Sequence, residues 1–160
     1  MLKNSKGQTM IEVLVALSAA VIVVLAITVS VISALQNAQF SKNQNLATQY
    51  AQEGMEIVRQ KRSSNWTSFN QLSGYRCLAK GSTALTERTG LYCTQDADDI
   101  FVREVYFEDA PCSSADLNNQ VKATVKVFWS DSKCTDNTNI YCHNVSLVSC
   151  FSDFNVAPSP

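Results

Sequence analysis

A chain of 160 residues with a formal net charge of −1 and 17 % charged side chains has room for one modest core and carries no basic excess. That balance excludes nucleic-acid recognition by bulk electrostatics. The six cysteines all fall between Cys77 and Cys150, and an even count in one half of a chain favours disulfides and an oxidising compartment.

The chain opens with a short leader, Met1–Gly7, holding Lys3 and Lys6. From Ile11 to Leu35 it is then apolar, and the only ionisable side chain in that stretch is Glu12. Crossing a hydrocarbon core takes about 20 residues of helix, so this segment is long enough to span. Lys3 and Lys6 precede the span, and only Lys42 follows within the next ten residues. The positive-inside rule then puts the amino terminus in the cytoplasm and everything after Leu35 outside. A lone carboxylate costs about 2.5–3.5 kcal/mol at mid-membrane and much less at the boundary, so Glu12 alone does not demand a partner. A secretory signal is the competing reading, with Ser33-Ala34 imitating its cut, but its apolar region should be only about 7–15 residues.

Gly7-Gln8-Thr9-Met10-Ile11-Glu12, behind a basic leader and ahead of an apolar helix, resembles the amino terminus of the type IV pilin-like family of pilins, minor pilins and secretion-system pseudopilins. The resemblance implies cleavage by a prepilin peptidase between Gly7 and Gln8, methylation of the new amine at Gln8, and pairing of Glu12 with that amine on the same or a neighbouring subunit during assembly. The family's usual first mature residue is Phe where this chain has Gln8, and Val29 stands where major pilins often carry a kinking Pro. Both departures point to a minor pilin or a pseudopilin. Residues 51–66, AQEGMEIVRQKRSSNW, are similar to the end of this helix in minor pilins of the PilV type. The implied partners are other pilin subunits through the first helix, the peptidase, the assembly platform and membrane lipid before assembly. The implied location is the cytoplasmic membrane, then an extracellular pilus.

The helix is expected to continue past the membrane, from Thr9 to about Arg62. Phe40, Ala47, Tyr50, Ala51, Gly54, Ile57 and Val58 recur at spacings of three, four and seven and form one apolar stripe. Gln44, Gln49, Gln52, Glu53, Glu56 and Gln60 lie between them, and Arg59, Lys61 and Arg62 suit the negative end of the helix dipole. Within the chain, the residues from 63 to 160 are the partner available to that stripe. Gly54 at mid-stripe reads either as a close approach by a sheet or as a tolerated glycine costing about 1 kcal/mol.

After Ser63-Ser64-Asn65 breaks the pattern, Trp66 and Phe69 are expected to anchor the returning chain. Tyr75–Ala79 and Leu91–Thr94 read as two short strands of a hairpin, setting Cys77 opposite Cys93. Phe101–Glu108 reads as a strand with Phe101, Val105 and Phe107 on one face and Arg103 interrupting it. Val121–Trp129 alternates most cleanly, with Val121, Ala123, Val125, Val127 and Trp129 inward and Lys122, Thr124 and Lys126 outward. Ser130–Ile140 is a polar loop, and Tyr141–Phe151 returns with Val145 and Leu147 inward. A Cys134–Cys142 bridge could clip that loop and would leave Cys112 with Cys150, one of the fifteen connectivities that six cysteines allow. The fold class is therefore α+β, a long helix packed on a small disulfide-bonded antiparallel sheet. The organisation is leader 1–7, apolar half-helix 8–35, amphipathic half-helix 36–62 and head 63–160.

Few residues suggest reaction chemistry. The single histidine, His143, sits beside Cys142 and Asn144 with no nucleophile motif near it in sequence. Asp96, Asp98 and Asp99 lack the Gly and Glu that complete a calcium loop, and a solvated turn is the simpler reading. No two cysteines are spaced as zinc ligands usually are. Asn65-Trp66-Thr67 and Asn144-Val145-Ser146 match a glycosylation sequon by chance composition. No enzyme activity, cofactor or metal is expected. The expected role is structural, a filament subunit. A secretion pseudopilus, a DNA-uptake pilus and a membrane-anchored binding module that never assembles remain open beside it.

Overall fold

The computed structural model describes residues 6–93, 96–98, 100–108, 112, 120–131, 134 and 141–153. One helix, α1, runs Lys6–Ser64. By internal contacts the chain divides into two units, Met1–Lys42 and Asn43–Pro160, with the boundary inside α1. The first unit is helical from Lys6, and its large apolar side chains from Met10 to Leu35 are all exposed.

The second unit begins with residues 43–64 of α1. A short helix, α2 (Trp66–Phe69), follows at once. Asn65, expected only to break the long helix, caps the next one: its side-chain oxygen accepts the Ser68 N–H at 3.0 Å. Phe69 is buried and packs edge-on against Phe107 and Phe151, with ring centroids 5.7 and 5.4 Å away. Trp66 is half-buried and stacks on Phe69.

Among the described residues six strands form one antiparallel sheet: β1 (Gly74–Cys77), β2 (Thr86–Glu87), β3 (Asp96–Asp98), β4 (Phe101–Glu108), β5 (Gln120–Trp129) and β6 (His143–Ser152). The main path is β2-β1-β4-β5-β6, with β3 paired to β4 off that path. The ladders β4–β5 and β5–β6 hold long unbroken register, with Val105 opposite Val125 and Val125 opposite Leu147. Because side chains alternate across a strand, that register gathers Phe101, Val105 and Phe107 with Val121, Ala123, Val125, Val127 and Trp129 on one face. All eight are buried. Val145 and Leu147 lie on the same side but stay half-buried, since β6 is an end strand of the path.

The stripe on α1 covers this face. Ala47, Ala51, Met55, Ile57 and Val58 are buried there, and Met55 is a member the expected stripe lacked. Gly54 is the close approach: a Cβ at this position would stand 3.0 Å from both Arg103 Cδ and Val125 Cγ1.

Three disulfides join Cys77 to Cys93, Cys112 to Cys150 and Cys134 to Cys142, the same partners that were expected. Two local expectations need correcting. Residues 91–93 form no strand, and the hairpin partner of β1 is Thr86–Glu87, with Arg76 opposite Glu87. Cys93 instead rides over the outer face of the sheet, where its N–H donates to Glu104 Oε1 at 2.8 Å. Second, Asp96–Asp98 is a strand rather than a turn, with Asp96 opposite Val102. Thr94, Asp99, most of the expected loop from Ser130 to Ile140, and the tail from Val156 lie outside the described residues.

Candidate functional site

Two places hold side chains whose environment calls for a physical explanation. The first is the apolar segment of α1. Sixteen large apolar residues from Met10 to Leu35 are between 50 and 74 % exposed. Full burial of one such side chain is worth about 1.5–3 kcal/mol, so leaving this segment in water would forfeit roughly 15–30 kcal/mol. That exceeds the 5–15 kcal/mol typical of a whole domain's stability. The segment therefore needs an apolar surrounding, and the helix is long and apolar enough to cross a membrane. Exposure on every side distinguishes it from a core helix, whose stripe would face one way.

Gly7 and Gln8 fall in the first turns of α1, and Glu12 is exposed one turn beyond Gln8. The positions three or four residues from Glu12 are Gln8, Thr9, Val15 and Ala16, none of which is a cation. Its own helix therefore offers Glu12 no positive partner at those spacings. Two side chains lower in the segment answer for themselves. Ser18 Oγ and Thr28 Oγ1 donate to the carbonyls of Val15 and Val24 at 2.8 Å, so their polar groups can enter an apolar medium already bonded.

The second place is Arg103, expected to interrupt the apolar face of its strand. It is fully buried on the helix-facing side of β4. Nε donates to the Leu78 carbonyl at 3.2 Å, Nη1 to the Tyr50 carbonyl at 3.0 Å, and Nη2 to the Ala79 carbonyl at 3.2 Å. Glu53 on α1 supplies the counter-charge, 3.2 Å from Nη1. Burial lowers the guanidinium pKa, and the Glu53 carboxylate opposes that shift. The fork thus ties α1, β4 and the segment after β1 together, and Gly54 leaves room for it. The signal that could have found it was one unpaired Arg on an apolar face beside a Gly on the facing stripe.

Glu104 on the opposite face of β4 is also buried. It accepts from Cys93 N–H and from Arg88 Nη1 at 3.1 Å, while the Arg88 guanidinium lies 3.7 Å from the centre of the Tyr75 ring. Both faces of β4 are therefore covered, which is why its alternation was weaker than that of β5. His143 Nε2 stands 3.2 Å from Asp131 Oδ2, and its ring packs on Trp129. Asn144 of the second sequon is exposed on β6.

No family profile, curated protein or solved structure matches this chain, so its functional reading rests on its own residues and geometry.

Proposed function

We propose that the chain is a structural, type IV pilin-like subunit, of minor-pilin or pseudopilin character, assembled through the apolar half of α1. The observation that supports this best is the combination, in the segment of α1 from Met10 to Leu35, of an all-round apolar surface and a single exposed carboxylate, Glu12, with no cation three or four residues from it. Before assembly the segment from Ile11 to Leu35 rests in the cytoplasmic membrane with the amino terminus inside. A peptidase cuts between Gly7 and Gln8. Assembly then moves the segment from lipid into a bundle of like helices, an exchange of one apolar medium for another with little net hydrophobic gain.

Polar contacts must therefore set the register. In the bundle Glu12 loses its hydration and needs a cation, because an unpaired buried carboxylate is costly. The amine of Gln8 on a neighbouring subunit supplies it. Cleavage serves both ends of this exchange, since it removes Lys3 and Lys6, which are costly to bury, and creates the charge that Glu12 lacks.

The test has two parts. Gly7→Val should leave a full-length chain by intact mass, and a processed form at wild-type yield would remove the peptidase step. Glu12→Val should insert into membranes normally and fail to enter filaments. Wild-type filament incorporation of Glu12→Val would remove the registering role.

A further inference from the structure

Asp131, Cys134, Cys142 and His143 each offer one ligand atom, and the four atoms lie within 4.8 Å of one another. Cys134 and Cys142 are close because they are bonded. Asp131 is joined to Cys134 by a tight turn and His143 follows Cys142 in the chain, so the bond brings all four side chains to one place. Asp131 Oδ1 stands 3.9 Å from Cys134 Sγ, and Asp131 Oδ2 stands 3.2 Å from His143 Nε2. We propose that Cys134 and Cys142, when reduced, join Asp131 and His143 in binding one zinc-class divalent ion, so that the connection between β5 and β6 is clipped by a disulfide in one redox state and by a metal in the other.

The donor set suits such an ion. Two thiolates, one imidazole nitrogen and one carboxylate oxygen fill a tetrahedral site of structural type, with Zn–S near 2.3 Å and Zn–N or Zn–O near 2.0–2.2 Å. Ligand atoms on such a tetrahedron stand roughly 3.3–3.8 Å apart, inside the spread observed. The surroundings favour it too. The Asp131 N–H donates to Cys134 Sγ at 3.3 Å, and a hydrogen bond to sulfur favours the thiolate over the thiol. Cys134 N–H returns to the Asp131 carbonyl at 3.1 Å, closing a turn that holds both ligands on one side. The His143 ring lies 5.3 Å from Trp129, its cross-strand partner, which fixes the imidazole plane and walls the site with an apolar surface. All four ligands are half-buried, open enough for an ion to enter.

In sequence these residues read D-x-x-C, then C-H after seven intervening residues. The usual zinc spacings do not include this pattern, so metal binding was not expected. The antiparallel return of β6 beside β5 brings the two halves together. The redox step balances with a dithiol as reductant. The dithiol gives up two electrons and two protons and becomes a disulfide, while the Cys134–Cys142 bond is cleaved to two thiols. The ion then displaces one proton from each thiol, with His143 binding as the neutral ring and Asp131 as the carboxylate.

The test uses the full chain in detergent micelles, reduced with a phosphine and titrated with Co²⁺ and Zn²⁺. One equivalent should bind with thiolate-to-cobalt charge-transfer absorption, and X-ray absorption of the zinc form should show two sulfur and two nitrogen or oxygen neighbours. His143→Gln and Asp131→Asn should each weaken binding at least about tenfold. The Cys134→Ser/Cys142→Ser chain should lose the signal, and Cys112→Ser/Cys150→Ser should keep it. Since reduction opens all three disulfides, Cys134→His/Cys142→His supplies a second route, binding Zn²⁺ with the other two bridges intact. The proposal is overturned if neither the reduced chain nor this variant binds metal. It is equally overturned if binding survives loss of Cys134 and Cys142, or is unchanged in both His143→Gln and Asp131→Asn.

Discussion

Replacing Arg103 by Ala is the sharpest test of how the second unit is held together. The side chain is fully buried and donates to the carbonyls of Leu78, Ala79 and Tyr50 as well as facing Glu53. Its removal deprives three carbonyls of a donor and opens a cavity against Gly54 and Val125. Breaking a buried, hydrogen-bonded charge typically costs about 3–5 kcal/mol. For a head of this size that corresponds to a fall in melting temperature of roughly 10–20 °C. Glu53→Gln should cost at most about 1 kcal/mol, because Glu53 is half-exposed and the amide still accepts a hydrogen bond. Thermal denaturation of the full chain in detergent, followed by near-ultraviolet circular dichroism of Trp129 and Trp66, measures both. The pH sign can be worked out as well. Arg103 has its pKa lowered in the folded state, so its burial penalty is relieved only as pH rises through the guanidinium range. Wild-type and Arg103→Ala stabilities should therefore run parallel between about pH 6 and 9. An Arg103→Ala chain within 1 kcal/mol of wild type, or a Glu53→Gln chain equally damaged, would refute the view that the carbonyl fork carries the stabilisation.

Gly54→Ala trades about 1 kcal/mol of helix propensity against an overpacking cost of about 1–3 kcal/mol. Both neighbours of the new Cβ are held, Arg103 by its hydrogen bonds and Val125 in the middle of β5, so the melting temperature should fall, and fall less in an Arg103→Ala background. A rise in the wild-type background would mean the helix can shift freely. Between the two outer disulfides, chain-entropy arithmetic for separations of 38 and 8 residues gives about 4 and 2.5 kcal/mol. Cys112→Ser/Cys150→Ser should thus be the more destabilised by about 1.4 kcal/mol in urea titrations, and the reverse order would argue that local contacts rather than loop closure dominate.

Local pattern in the sequence carries much of this molecule's architecture. The apolar run from Ile11 to Leu35, the three-four stripe on the second half of α1 and the strict alternation of β5 each express one backbone period acting on one solvent boundary. Such signals sit within a few turns or one strand, and nothing distant can erase them. The disulfide partners are the expected ones, although the strand expected to carry Cys93 does not form and Cys112 is matched to Cys150 in that expectation only as the remaining pair. What the residues could not reveal alone was anything requiring two distant segments at once. Arg103 looked like a flaw in a strand until the carbonyls of Tyr50, Leu78 and Ala79 closed around it. Cys93 was given a strand of its own, because the tie of its N–H to buried Glu104 has no periodic trace. Asp131 and His143 are twelve positions apart in sequence, yet His143 Nε2 stands 3.2 Å from Asp131 Oδ2. Side-chain periodicity reports which way a residue faces, whereas its partner is set by the three-dimensional path of the rest of the chain.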